Sequence, residues 1–142
     1  MARPMGLRSD RKIELIGAAP LFANCSKGDL KAIARIADEL DLPAGRDLIR
    51  EGERGREFFV LVSGAADVRR KGRRVDTVGP GDIVGEMALV SGLPRNATVT
   101  STTPLDVLVI DERHFRAMLR QYPAIQAKVL RALADRLAAA AD

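Results

Sequence analysis

The chain has 142 residues, 46% of them hydrophobic and 30% charged, with a formal net charge of +4. This is an ordinary composition for one globular domain, and a chain of this size buries about 68–70% of its unfolded surface, enough for a core without metals or disulfides. Aromatic residues make up only 4% and tryptophan is missing, so the core must be aliphatic.

The single cysteine, Cys25, excludes an intramolecular disulfide and fits a reducing, cytoplasmic setting. No apolar stretch follows the start Met-Ala-Arg-Pro-Met-Gly, so no secretory leader is expected. The longest apolar runs, Phe58 to Val62 and Leu137 to Ala141, fall far short of the roughly 20 residues a membrane helix needs. A sequence pI near 9.7 favours anionic partners without saying which.

Asp10 to Ala18, with Ile13, Leu15 and Ile16, predicts a short amphipathic helix. Ser26 reads as an N-cap with Asp29 three residues on, and Leu30, Ile33, Ala34 and Ala37 continue the helical spacing to about Leu40. Pro43-Ala44-Gly45 is expected to end that helical region. From there to Ile110 short apolar runs alternate with turn residues. Leu48-Ile49 leads to a loop at Glu51-Gly52-Glu53-Arg54-Gly55, and Phe58 to Val62 is apolar on both faces, as in a strand buried on both sides. Ala65 to Arg70 turns through Lys71-Gly72 into Arg73 to Val78, and Gly79-Pro80-Gly81-Asp82 is a strong turn. Ala97 to Ser101 and Leu105 to Ile110 complete the β-rich part. So many short strands predict a closed β-roll or sandwich. Asp111 caps the next helix, and Pro123 opens the last one, along which Ile125, Val129, Leu133 and Leu137 form one apolar stripe. The stripe is expected to lie on the β-roll.

One stretch departs from this grammar. In Val84-Gly85-Glu86-Met87-Ala88-Leu89-Val90-Ser91-Gly92-Leu93-Pro94-Arg95-Asn96-Ala97-Thr98 a glycine precedes one helical turn of good helix formers, which Ser-Gly then stops. Gly85 lets the backbone approach a ligand, and a turn starting at Glu86 offers unpaired N–H groups and a positive dipole end to an anion. Arg95 can add a charge-assisted contact to the same phosphate, whereas ionised Glu86 only accepts and so suits a sugar hydroxyl. Donors and one acceptor on a tight turn describe a sugar-phosphate pocket.

At these residues the chain closely resembles the cyclic-nucleotide-binding domain family of kinase regulatory subunits, cyclic-nucleotide-gated channels and catabolite-activator-type regulators. Gly85-Glu86-Met87-Ala88-Leu89 and Pro94-Arg95-Asn96-Ala97-Thr98 match its Gly-Glu-x-Ala-Leu and Pro-Arg-x-Ala-Thr motifs. Phe58 to Gly64 and Gly79-Pro80-Gly81-Asp82 resemble its preceding elements, so the likeness runs from about Leu40 to Leu137. The resemblance implies an α+β domain, an eight-stranded antiparallel β-roll flanked by helices. In one domain spanning 1–142 it implies a helical segment at 10–40, the roll at 41–110 with its phosphate cassette at 85–98, and lid helices at 111–141. By the same likeness Glu86 binds the ribose 2′-hydroxyl, Arg95 the cyclic phosphate, and the backbones of Met87, Ala88, Asn96 and Ala97 the phosphate rim. Val129, Leu133 and Arg136 are the candidates for covering the base. Cyclic AMP comes first as ligand. Asn96, standing where cyclic-AMP binders often carry Ala or Ser and cyclic-GMP-selective ones Thr, could also meet a guanine amino group.

The remaining polar features read as structural. Arg69-Arg70-Lys71-Gly72-Arg73-Arg74 straddles a turn without aromatics, as a solvated hairpin tip does, although a basic run can also mark nucleic acid. His114 has no second metal ligand nearby, Cys25 reads as a small buried apolar residue, and Phe58 and Phe59 as core. With no nucleophile–base pair and no metal cluster, no catalysis and no cofactor are expected. The leading expectation is a ligand sensor acting on an effector protein or a fused output domain, with a homodimer left open. A second is a β-roll interaction module without nucleotide binding. A third, a DNA-binding regulator, would need a helix-turn-helix after the lid helix, where the sequence reaches Asp142.

Overall fold

The computed structural model describes residues 9–86 and 94–141. Three helical pieces come first: α1 (Ser9–Ala18), a 3-10 turn (Pro20–Phe22) and α2 (Lys27–Arg35). The capping box forms as expected: Ser26 Oγ accepts from the Asp29 N–H at 3.1 Å, and the Asp29 carboxylate accepts from the Ser26 N–H at 2.9 Å. At the other end of α2, Lys12 from α1 donates its ammonium to the carbonyl of Ala37 at 2.8 Å.

The helix does not reach Leu40. It ends at Arg35, and Ala37–Leu42 is already a strand, β1, so the β-roll begins before residue 41. The helical spacing of Leu30, Ile33, Ala34 and Ala37 loses because the next five residues are paired across to another strand. Ala37 faces Ile110 and Leu42 faces Leu105 in one unbroken antiparallel register, and such a ladder overrides a weak local preference. Pro43-Ala44-Gly45 therefore turns one strand into the next.

The other strands are β2 (Asp47–Ile49), β3 (Glu57–Ser63), β4 (Ala66–Arg70), β5 (Arg73–Val78), β6 (Ile83–Val84), β7 (Thr98–Ser101) and β8 (Leu105–Asp111). They form two four-stranded antiparallel sheets, ordered β1-β8-β3-β6 and β2-β7-β4-β5. The tight turn between β4 and β5 puts Lys71 at φ 52° and Gly72 at φ 78°, the left-handed pair that a two-residue hairpin requires.

Alternation along β3 explains its doubly apolar run. Phe58, Val60 and Val62 enter a core between the first sheet and the helices, while Phe59 and Leu61 enter the interior of the roll. Strand β8 does the same, with Leu108 and Ile110 on the helix side and Leu105 and Val107 on the roll side. Each fully buried side chain of this kind contributes about 1.5–3 kcal/mol.

Asp111 caps α3 (Glu112–Gln121) by accepting from the N–H groups of Arg113 and His114, and Pro123 opens α4 (Pro123–Ala141). The stripe residues Ile125, Val129 and Leu133 are buried, but their helix neighbours chiefly the 3-10 turn and α3 rather than the sheet expected to receive it. A helical layer intervenes, centred on three rings: Phe58 and Phe115 lie edge to face at 5.1 Å, with Phe22 within 6.2 Å of both. Among the described residues no helix is long and apolar enough to cross a membrane.

Candidate functional site

Strand β6 pairs with β3 (Val84 opposite Phe59) and delivers the chain to Gly85. Val84 itself is core of the roll. Gly85 has φ +88°, a conformation that L side chains rarely adopt. A β-carbon there would stand 2.8 Å from Arg95 Nη1 and 3.2 Å from the Glu57 carbonyl oxygen. Both the backbone twist and the space demand glycine. Glu86 follows and is buried, only 4% exposed.

Arg95 returns to this point from the far side of the cassette and is 9% exposed. Its Nη1 donates to the Gly85 carbonyl at 3.0 Å and its Nη2 to the Glu57 carbonyl at 2.6 Å. The backbone is held as firmly: Arg95 N–H donates to the Glu53 carbonyl and its own carbonyl accepts from the Gly52 N–H, both at 2.8 Å. Burial pulls the guanidinium pKa down, against the opposing pull of the Glu57, Glu112 and Glu86 carboxylates. Two of the five guanidinium donors are thus taken by backbone, and a cation is held at the edge of the roll beside a buried glutamate.

Two participants escaped the sequence. Gly55 lies beneath the guanidinium, which occupies the place a β-carbon would take. Glu57 contributes its backbone oxygen. Neither carries a side-chain signature, because Gly55 sits in a segment whose glycines all read as turn residues.

The other candidates fall into place unevenly. Ala97 is buried beside Arg95 in sequence, Asn96 is exposed, and the Thr98 hydroxyl accepts from the Glu51 N–H at 3.0 Å, tying the cassette's end to the same loop. Leu133 belongs to the helix-side core with Val129 and Phe115, not to the cluster around Val84. Met87 and Ala88 lie outside the described residues, and Arg136 stands on α4 with its side chain likewise outside them. The basic run of the β4–β5 hairpin is exposed from Arg69 to Arg74, as a solvated tip should be. His114 is exposed and within 3.4 Å of Asp111, and Cys25 is partly buried, with its thiol pKa raised chiefly by burial. Among the described residues no cluster of His, Cys, Asp and Glu could hold a metal ion.

The fold is a double-layered β-roll with flanking helices, and it holds a buried glutamate and a buried arginine around a left-handed glycine. The family model for the cyclic nucleotide-binding domain matches residues 39–122, more than half of the chain, and the chain belongs to that family. It is 34% identical over 132 residues to a cyclic nucleotide-gated potassium channel of Mesorhizobium japonicum, a match covering 93% of this chain and 37% of the channel. The chain thus spans about a third of that relative's length. The N-terminal domain of a Streptomyces coelicolor transcriptional regulator superposes with a TM-score of 0.81 at 28% identity, covering 90% of this chain and 93% of that one. The regulatory domain of Toxoplasma gondii protein kinase A, solved with cyclic AMP, gives 0.73 at 32% identity over 78% of this chain and 44% of that one. These relatives are a gated channel, a transcriptional regulator and a kinase regulatory domain.

Proposed function

We propose that this chain senses cyclic AMP ahead of cyclic GMP, through the cassette 85–98. The observation that carries the reading is the guanidinium of Arg95, buried between Gly85 and Gly55 next to Glu86. A cyclic phosphate brings a negative charge and acceptor oxygens to a cation whose present partners are neutral carbonyls, so it adds an ion pair, and a forked one, to what the guanidinium already makes. Glu86, whose ionised carboxylate only accepts, takes the hydrogen bond that the ribose hydroxyl donates. The Toxoplasma domain with its bound cyclic AMP supports the choice of nucleotide.

The response is a movement of α3 and α4 toward the base, with Leu133, Val129 and Arg136 as the covering side chains. In this structure Leu133 is packed on the helix side, so a movement toward the base exchanges one apolar contact for another. A ligand can drive that exchange only by its difference in affinity for the two arrangements. The output belongs to an effector protein or to a domain fused to this one.

Titration calorimetry with cyclic AMP and cyclic GMP tests the reading, on wild type and Arg95→Lys. Lysine keeps the charge but cannot reproduce a forked contact. Cyclic AMP should bind wild type more tightly than cyclic GMP, and the variant should lose about tenfold or more. No heat with either nucleotide on folded wild-type protein would leave an interaction module that does not bind nucleotides.

A further inference from the structure

On the outer side of the loop that supports Arg95 lies a groove of about 530 Å³, lined by Arg54, Arg56, Asp111, Glu112, Arg113 and Arg116. Two elements that are bonded to each other build it: the Glu112 N–H at the start of α3 donates to the Arg56 carbonyl at 2.7 Å. Four arginines and two carboxylates leave a formal charge of 4 − 2 = +2 on the lining.

Both carboxylates are already engaged. Asp111 Oδ1 accepts from the N–H groups of Arg113 and His114 at 2.8 and 3.2 Å, and Glu112 Oε1 accepts from Arg116 Nε at 2.8 Å. Arg54, Arg56 and Arg113 are exposed and have no carboxylate within ion-pairing reach among the described residues. Three guanidiniums therefore face one groove from two sides with no carboxylate among the described residues to neutralise them.

We infer that this groove docks an acidic peptide segment of a partner protein. A compact phosphate site is disfavoured because the amides that would complete it, at the start of α3, are spent on Asp111 and on the Arg56 carbonyl. A flat anionic lipid surface does not enter a groove, and duplex nucleic acid spreads its charge over more area than six lining residues offer. Forked guanidiniums on two separate elements instead match successive carboxylates of an extended chain, each able to form a bidentate pair. Arg54 and Arg56 flank Gly55, on which the Arg95 guanidinium rests, so the groove and the anion site share one loop. The inference does not depend on which nucleotide that site takes.

The test is fluorescence anisotropy of a labelled peptide of alternating glutamate and serine against the whole chain. Duplex DNA, inorganic polyphosphate and anionic vesicles serve as competitors. Binding should weaken with rising salt and fall about tenfold or more in Arg54→Glu/Arg56→Glu. The matched reversal Arg73→Glu/Arg74→Glu on the hairpin should change it less than about twofold. A thermal melt checks the double variant, and Arg113→Glu alone, on the opposite wall, must weaken binding in the same direction. No binding to wild type, an equal loss in the hairpin variant, or tighter binding of DNA, polyphosphate or vesicles than of the peptide overturns the inference.

Discussion

Arg95 and Gly55 are stacked so closely that the guanidinium fills the position where any other residue at 55 would place its β-carbon. That contact fixes the cation over the loop, and it turns an apparently permissive loop glycine into part of the site. Gly55→Ala must push the guanidinium away from the carbonyls of Gly85 and Glu57, or push the loop away from β7. Overpacking and two broken buried bonds predict a loss of about 1–3 kcal/mol in chemical denaturation. The loss of nucleotide affinity should be at least as large as in Arg95→Lys. A variant with wild-type stability and wild-type affinity would show that the contact is dispensable.

Arg95→Ala behaves differently from an ordinary surface truncation. Removing the side chain takes the guanidinium donor away from the Glu57 and Gly85 carbonyls. Unmet buried acceptors cost about 1–3 kcal/mol each, so the variant should be destabilised before any ligand is added. Denaturant midpoints of the ligand-free proteins check this. Arg95→Lys should recover part of the stability but little of the nucleotide affinity, separating the structural role of the cation from its recognition role.

The same bonds explain what could and could not be read from the sequence. Gly85, Glu86 and Arg95 were legible because their side-chain chemistry, or the lack of a side chain, is itself the signal. Glu57 was not, because it acts through a carbonyl that every residue possesses. Among the elements, the capping pair Ser26–Asp29, the Asp111 cap and the two-faced strand β3 followed from local pattern. The stretch after Arg35 did not: Ala37 continues a helical spacing, and only its partner Ile110, far along the chain, makes it a strand. The seat of α4 was missed for a similar reason, since its main neighbour is the brief turn at Pro20–Phe22.

Helix α3 is anchored by one ring. Phe115 is 1% exposed and meets Phe58 edge to face and Phe22 at 6.0 Å. Phe115→Ala should cost about 3–5 kcal/mol, whereas Leu130→Ala, at a position 59% exposed, should stay within about 0.5 kcal/mol. Urea denaturation of both variants checks the contrast. Similar small losses in the two would mean that the aromatic cluster is not what holds the helical layer to the sheet.

Lys128 and Asp29, 99 positions apart, join the last helix, α4, to the start of α2 with a bond of 2.6 Å. The lysine holds the Asp29 carboxyl below its ordinary value, helped by the N–H of Ser26, and Asp29 in turn raises the pKa of Lys128. A depressed carboxylate contributes stability above its unfolded pKa, near 4, and loses it as the pH falls through the folded value. A raised lysine contributes below its unfolded pKa, near 10.4, and loses it as the pH rises through the folded value. The pair should therefore stabilise the protein on a plateau between those limits. Asp29→Asn, which can still accept from Ser26, should lower the melting temperature at pH 7. The gap to wild type should narrow as the pH drops below about 4. If lid closure draws α4 away from α2, the same variant should bind cyclic AMP at least as tightly as wild type despite its lower stability. A weaker affinity would mean that the bridge belongs to the closed arrangement.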